Sequence, residues 1–240
     1  MSAFQLQPRG RLVAAAVAGA LTLAAVVLAI VATAGQQHAA SPSPSAANPA
    51  KERTLGPLAS SGSTSSTTSP PTTGGRSPVV GPVLVQSLPV SLDVPRIGIH
   101  DANLVQLGLA KDGSIQVPPV GANSPAGWFR DSPTPGQLGP SVIVGHVDSV
   151  AAGPAIFYRL GTLRPGDTAT VTRADHIVAV FRVDSVEKYA KSSFPTLQVF
   201  GNTDHAGLRL ITCGGTFNPA KQSYEDNIVV YAHLTSSHPV

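Results

Sequence analysis

Leu208-Arg209-Leu210-Ile211-Thr212-Cys213-Gly214-Gly215 reads as a short strand running into a glycine turn, and it carries the only cysteine among 240 residues. Leu208, Leu210 and Ile211 supply the apolar strand positions, and the paired glycines mark the turn. A thiol at a strand end can meet solvent and reagent. A free cysteine also packs as a small hydrophobe in many cores, so residue type alone leaves a structural thiol and a nucleophile both open.

Outward from this stretch, the chain from about residue 90 to its end carries strand signals nearly throughout. Residues 92–99 read as a first strand, with Pro95 demoting it to an edge or a bulge. Residues 102–107 and 113–117 follow, the second opened by the Lys111-Asp112-Gly113 turn. Pro118, Pro119 and Pro125 predict an irregular loop, and Trp128 and Phe129 a packed core pair. Residues 141–147 form a continuous apolar strand carrying Gly145 and His146. Phe157, Leu160 and Leu163 are spaced for one face of a short helix over 155–163. Residues 168–173 and 177–186 alternate as a hairpin, 196–200 suit a brief helical turn, and 228–234 make a last strand. Short strands, frequent Pro and Gly, and no long amphipathic helix predict an all-β fold, a single antiparallel barrel or sandwich over residues 90–240.

The first third of the chain is different. Residues 12–35 hold no charge and are rich in Ala, Val and Leu. At ~1.5 Å rise per residue such a helix spans a ~30 Å hydrocarbon core, and it outruns the apolar region of about 7–15 residues found in cleaved signal peptides. It is therefore expected to be an uncleaved, single-pass transmembrane anchor. Arg9 and Arg11 precede it, which puts residues 1–11 in the cytoplasm and the bulk of the chain outside the cell membrane. Residues 36–89 are Ser, Thr, Pro, Ala and Gly, a composition that cannot bury enough apolar surface to offset chain entropy. They are expected to form a disordered stalk.

Charge divides at the same boundary. Residues 1–90 carry five basic residues and Glu52, a net of +4, and the remaining 11 basic and 12 acidic residues leave the predicted barrel at −1. The basic balance belongs to the anchor and stalk, so no nucleic-acid partner is expected. A single cysteine outside the cytoplasm cannot close an internal disulfide.

Such a thiol becomes a nucleophile when a base takes its proton or a cation stabilises its anion. Of the seven histidines, His38 lies in the stalk, His238 in the tail, His233 within the last strand, and His100, His176 and His205 in polar turns. His146 alone follows an apolar strand and Gly145 and precedes a loop, the same kind of position as Cys213.

Val142-Ile143-Val144-Gly145-His146-Val147-Asp148, then Leu210-Ile211-Thr212-Cys213, then the terminal Asp226-Asn227-Ile228-Val229-Val230-Tyr231-Ala232 together resemble the sortase family, class F sortases most closely, over residues 90–235. The resemblance implies a closed eight-stranded β-barrel with short helices and a cysteine transpeptidase activity. Its substrates would be secreted proteins bearing a C-terminal Leu-Pro-x-Thr-Gly-like sorting signal, cleaved through an acyl thioester and passed to a cell-wall precursor amine. Cys213 would be the nucleophile, and His146 the acid for the leaving amine and the base for the incoming one.

One feature departs from the family. The arginine expected just before the last strand, a donor to the substrate carbonyl or oxyanion, is replaced by Glu225, which cannot donate when ionised. Loss of one such donor costs on the order of hundredfold to thousandfold in rate. Lys221, in the same loop, is a candidate replacement, Thr212 a candidate for the substrate-facing surface, and Asp148 a candidate to orient His146. Arg209 reads as structural, and Arg130 has no position that sequence can assign. The alternative is an impaired or non-catalytic barrel that binds sorting-signal peptides or wall components. With no C-x-x-C, H-E-x-x-H or phosphate-loop motif, no cofactor and no metal are expected.

Overall fold

The computed structural model describes residues 79–121 and 123–240. The anchor expected over 12–35 and most of the stalk lie outside these residues, and among the described residues no helix is long and apolar enough to cross a membrane.

Eight strands close a barrel: β1 (Pro89–Val94), β2 (Ile99–Leu107), β3 (Ala126–Phe129), β4 (Gly139–Val144), β7 (Thr168–Arg173), β8 (Ile177–Ala190), β9 (Ala206–Asn218) and β10 (Ser223–Pro239). Two short strands, β5 (Asp148–Ser149) and β6 (Gly153–Pro154), pair beside it. The order around the barrel is β1-β2-β3-β4-β9-β10-β8-β7, and the β1–β7 pairing closes the ring. Closure leaves no long strand edge exposed.

The expected antiparallel barrel is in fact mixed, because β2 pairs with β3 and β4 with β9 in parallel. Parallel neighbours need a crossover, and the long 108–125 connection and the β4-to-β9 span provide one each. Pro95 does not bulge the first strand. It ends β1 and opens a 3-10 turn, Pro95–Ile97. Residues 113–117 form no strand and contribute only a bridge from Ile115 to Leu109. The helix expected over 155–163 shrinks to a 3-10 turn at Leu160–Thr162, with Phe157, Leu160 and Leu163 all buried. Their apolar spacing reflects burial against the barrel rather than helical periodicity. Trp128 is buried as expected, on β3. The short helix α1 (Thr196–Phe200) forms where the sequence suggests one.

Strand β4, the first half of β9 and the middle of β10 are buried on both faces, so hydrophobic alternation is weak in their sequences. Ile143, Leu208, Leu210, Ile228 and Val230 enter the barrel core with Phe157 and Phe181. Val142, Ile211 and Val229 point the other way, under Val199 of α1 and the aromatic rings of Tyr189, Phe194, Phe200 and Tyr231. Arg209 also sits on this outer side, its guanidinium 4.4 Å from the Tyr231 ring centre. This agrees with its structural reading.

The expected stalk stops short of residue 89. Residues 79–88 run along the barrel, with the Val80 N–H donating to Asp204 C=O and the Leu84 N–H to Gly136 C=O, both at 2.7 Å. Arg173 is the clamp. Its buried guanidinium donates to Val85 C=O at 2.7 Å, to Pro135 C=O at 2.8 Å and to both carboxylate oxygens of Asp175. That pairing holds the Asp175 carboxyl below the usual range, chiefly through the Arg173 hydrogen bond.

Arg173→Met should lower stability by ~1–3 kcal/mol, the cost of leaving buried acceptors unpaired. It should also speed hydrogen exchange of residues 80–85. Because the Asp175 pKa is depressed, its contribution is present above the ordinary carboxylate pKa of about 3.9 and lost as pH falls through the lower folded value. In denaturation curves at neutral and acid pH, the stability difference between wild type and variant should therefore narrow in acid, down to the part owed to the Val85 and Pro135 carbonyls.

Candidate active site

Cys213 does not end a strand. β9 continues through it to Asn218, and the glycines after it make a bulge instead of a turn. Phe217 pairs with Tyr224 and Gly214 with Asp226, so β9 spends one extra residue opposite Glu225. Gly215 takes φ +76° there, and a Cβ on it would collide with the Asp226 carboxylate. Only glycine fits such a bulge without strain. Cys213 lies just before this kink and is half-buried.

The parallel β4–β9 ladder brings the histidine to the thiol. The last β4 pair is Val144 with Ile211. Beyond it the Gly145 N–H donates to Ile211 C=O at 3.1 Å, and the Thr212 hydroxyl donates to Gly145 C=O at 2.8 Å. Two residues past Val144 and Ile211, the same alternation sets His146 alongside Cys213 on the outer face, with neighbouring strands ~4.8 Å apart. Both side chains line one cleft of about 230 Å3, together with Asp148, Phe217, Ser223 and Tyr224. Gly145 permits this approach, since a Cβ would meet the Phe157 ring at 2.6 Å. The Phe157 N–H in turn donates to His146 C=O at 3.0 Å, fixing the histidine backbone from the far side.

The imidazole of His146 has one identified partner, Pro118 C=O, 2.8 Å from Nε2. A carbonyl can only accept, so Nε2 carries hydrogen. Nδ1 is then the nitrogen that can gain or lose the second proton. Pro118 belongs to the loop that the prolines predicted, a contact no sequence pattern announces.

Asp148 lines the cleft, but its partner is Tyr224, whose hydroxyl donates to Oδ2 at 2.5 Å. Burial first, and the Asp148 carboxylate second, push the Tyr224 phenol well above its ordinary pKa. The Tyr224 ring also meets Phe217 edge-on at 5.3 Å. Thr212 is buried on the barrel side, its hydroxyl engaged with Gly145, so it is a strand tie and not part of the substrate-facing surface. Lys221 is exposed in the β9–β10 connection and does not line the cleft.

Glu225 is exposed, and its carboxylate accepts from Asn218 Nδ2 at 3.0 Å instead of lining the cleft. Arg130 lies elsewhere, its guanidinium against Gly108. The cation at the thiol is one that sequence reasoning missed. Lys191 Nζ is 3.4 Å from Cys213 Sγ and 2.8 Å from Ser223 Oγ. It lies 22 residues before the cysteine in an undistinguished Ala-Lys-Ser-Ser stretch, with no local signal of a role. Among the described residues no three His, Cys, Asp or Glu side chains converge to hold a metal ion.

A family model described as a sortase domain matches residues 92–235. No curated protein matches the chain. Similar solved structures include a SrtA sortase from Actinomyces oris, at 21% identity, 68% of this chain, 87% of that one and a TM-score of 0.49. A pilus-related sortase C of Group B Streptococcus is 16% identical over 64% of this chain and 70% of its own, with a TM-score of 0.48. Sortase A of Listeria monocytogenes is 16% identical over 65% and 92%, with a TM-score of 0.46.

Because the Tyr224 pKa is raised, the contribution of this phenol to stability is complete below about pH 10 and lost as pH rises through the folded value. Asp148→Asn removes the carboxylate part of the shift, so Tyr224 should ionise at lower pH than in wild type. Ultraviolet difference titration of wild type against Tyr224→Phe, and of Asp148→Asn against Asp148→Asn/Tyr224→Phe, reads this.

Proposed function

We propose, for a chain that belongs to the sortase family, that the barrel is a cysteine transpeptidase of the class F type, acting on secreted proteins with a Leu-Pro-x-Thr-Gly-like sorting signal. The observation that carries this reading is the single cleft shared by Cys213 and His146. The thiol passes its proton to His146 Nδ1 and the sulfur attacks the threonyl carbonyl; the S–C bond forms and the C=O electrons move to oxygen. On collapse the C–N bond breaks, and His146 Nδ1 gives its proton to the leaving amine. A cell-wall precursor amine then attacks the thioester, Nδ1 takes the amine's proton, and the C–S bond breaks to return the sulfur to Cys213.

His146 suits both steps because its other nitrogen is occupied by Pro118 C=O, which holds the ring with Nδ1 toward the reaction. In this proposal residues 12–35 anchor the chain in the cell membrane with 1–11 in the cytoplasm. The barrel then works outside, where secreted substrates and wall precursors meet it. Protease added to intact cells should then release the barrel.

A second reading is favoured by one observation, the carboxylate of Glu225 where the family has arginine. Under it the barrel binds sorting-signal peptides without chemistry. Intact-mass analysis of the full-length chain in detergent, incubated with a Leu-Pro-x-Thr-Gly peptide, separates the two. The transpeptidase predicts a thioester adduct that Cys213→Ala abolishes and His146→Ala slows on the order of hundredfold to ten-thousandfold. Peptide binding with no adduct and no product would establish the binding module instead.

A further inference from the structure

Every reacting group in this cleft has a physical source except one. An acyl transfer through sulfur gains from a donor or positive charge where the thiolate and then the oxyanion stand, and the ionised Glu225 supplies neither. Two other basic side chains near the outer face are engaged elsewhere. Arg209 is buried against Tyr231, and Lys188 faces Asp226 at 3.8 Å.

We propose that Lys191 is the catalytic cation of this site, replacing the missing arginine from the turn that follows β8. This rests on the transpeptidase reading above. β8 runs beside β10 until Ala190 pairs with Asp226, and the chain then turns through a 3-10 segment, Lys191–Ser193. Phe194 pins that turn over the outer face, its ring 6.0 Å from both Tyr189 and Phe200. The lysine side chain therefore crosses the end of β10 to reach the sulfur. Ser223, the first residue of β10, holds the ammonium by accepting at 2.8 Å, and its own hydroxyl donates to Tyr224 C=O at 3.2 Å.

An ammonium has three donors. One faces Cys213 Sγ and one Ser223 Oγ, which leaves the third for the acyl oxygen as negative charge gathers on it. The two duties differ in size. Lys191 is exposed, so water screens its effect on the resting thiolate to the order of tenfold in reactivity. At the oxyanion, with peptide covering the cleft, the effect rises to the order of hundredfold to thousandfold.

Two measurements on the full-length chain in detergent test this. Alkylation of Cys213 by iodoacetamide at neutral pH reads the thiolate without needing any substrate. Acylation by a Leu-Pro-x-Thr-Gly peptide reads the oxyanion. Lys191→Gln should slow alkylation about tenfold and cut acylation kcat on the order of hundredfold or more at near-constant KM, and Lys191→Arg should recover much of both. Ser223→Ala should give a smaller loss in the same direction, by freeing the ammonium. Alkylation and acylation of Lys191→Gln within twofold of wild type would overturn the proposal. If wild type alkylates normally but forms no thioester, the transpeptidase reading fails and the oxyanion role falls with it. A tenfold alkylation difference would then support only the thiolate contact.

Discussion

The site depends on the parallel pairing of β4 with β9. Antiparallel neighbours would carry the two chain directions apart beyond a shared end, whereas parallel neighbours leave the barrel at the same rim. That pairing delivers His146 and Cys213 together although 67 residues separate them in the chain. The Thr212 hydroxyl and the Gly145 carbonyl extend the ladder past the point where β4 ceases to be a strand. A side-chain hydrogen bond there replaces a backbone one, and it leaves the following residue free to turn toward solvent.

Burial on both faces of β9 follows from what each face must do. The inner row of Leu208 and Leu210 fills the barrel, and the outer row of Arg209, Ile211 and Cys213 runs beneath aromatic rings before it emerges at the cleft. The same aromatic cover fixes the turn that carries Lys191. One packed layer outside the barrel thus sets both the depth of the thiol and the position of its nearest cation. The bulge at Gly215 has the complementary effect on β10. It adds a residue opposite Glu225, whose carboxylate turns to Asn218 and away from the sulfur.

Much of the fold was legible from local pattern. The hairpin of β7 and β8, the turn at α1, the buried Trp128 and the apolar runs of β4, β9 and β10 all declare themselves through alternation or punctuation. The misreadings share a cause, which is that tertiary burial overrides local period. Phe157, Leu160 and Leu163 have helical spacing because the barrel wall buries them, and the double glycine after Cys213 marks a bulge because β10 continues alongside it. Residues 79–88 lack strand signals yet lie fixed, since Arg173, distant in sequence, donates to their backbone.

Cys213 and His146 could be nominated as partners from the chain alone, because their residue types and flanking apolar runs limit where they can stand. The sequence also determined the all-β class and the charge boundary near residue 90, both of which depend only on composition and short-range order. The tertiary structure alone decided which strands are parallel, that Asp148 serves Tyr224, and that Pro118 holds Nε2 of His146. It also decided that Lys191, not Lys221, stands at the sulfur. These are contacts between segments 22 to 76 residues apart. The register of a closed barrel sets them, and no local run of residues encodes that register.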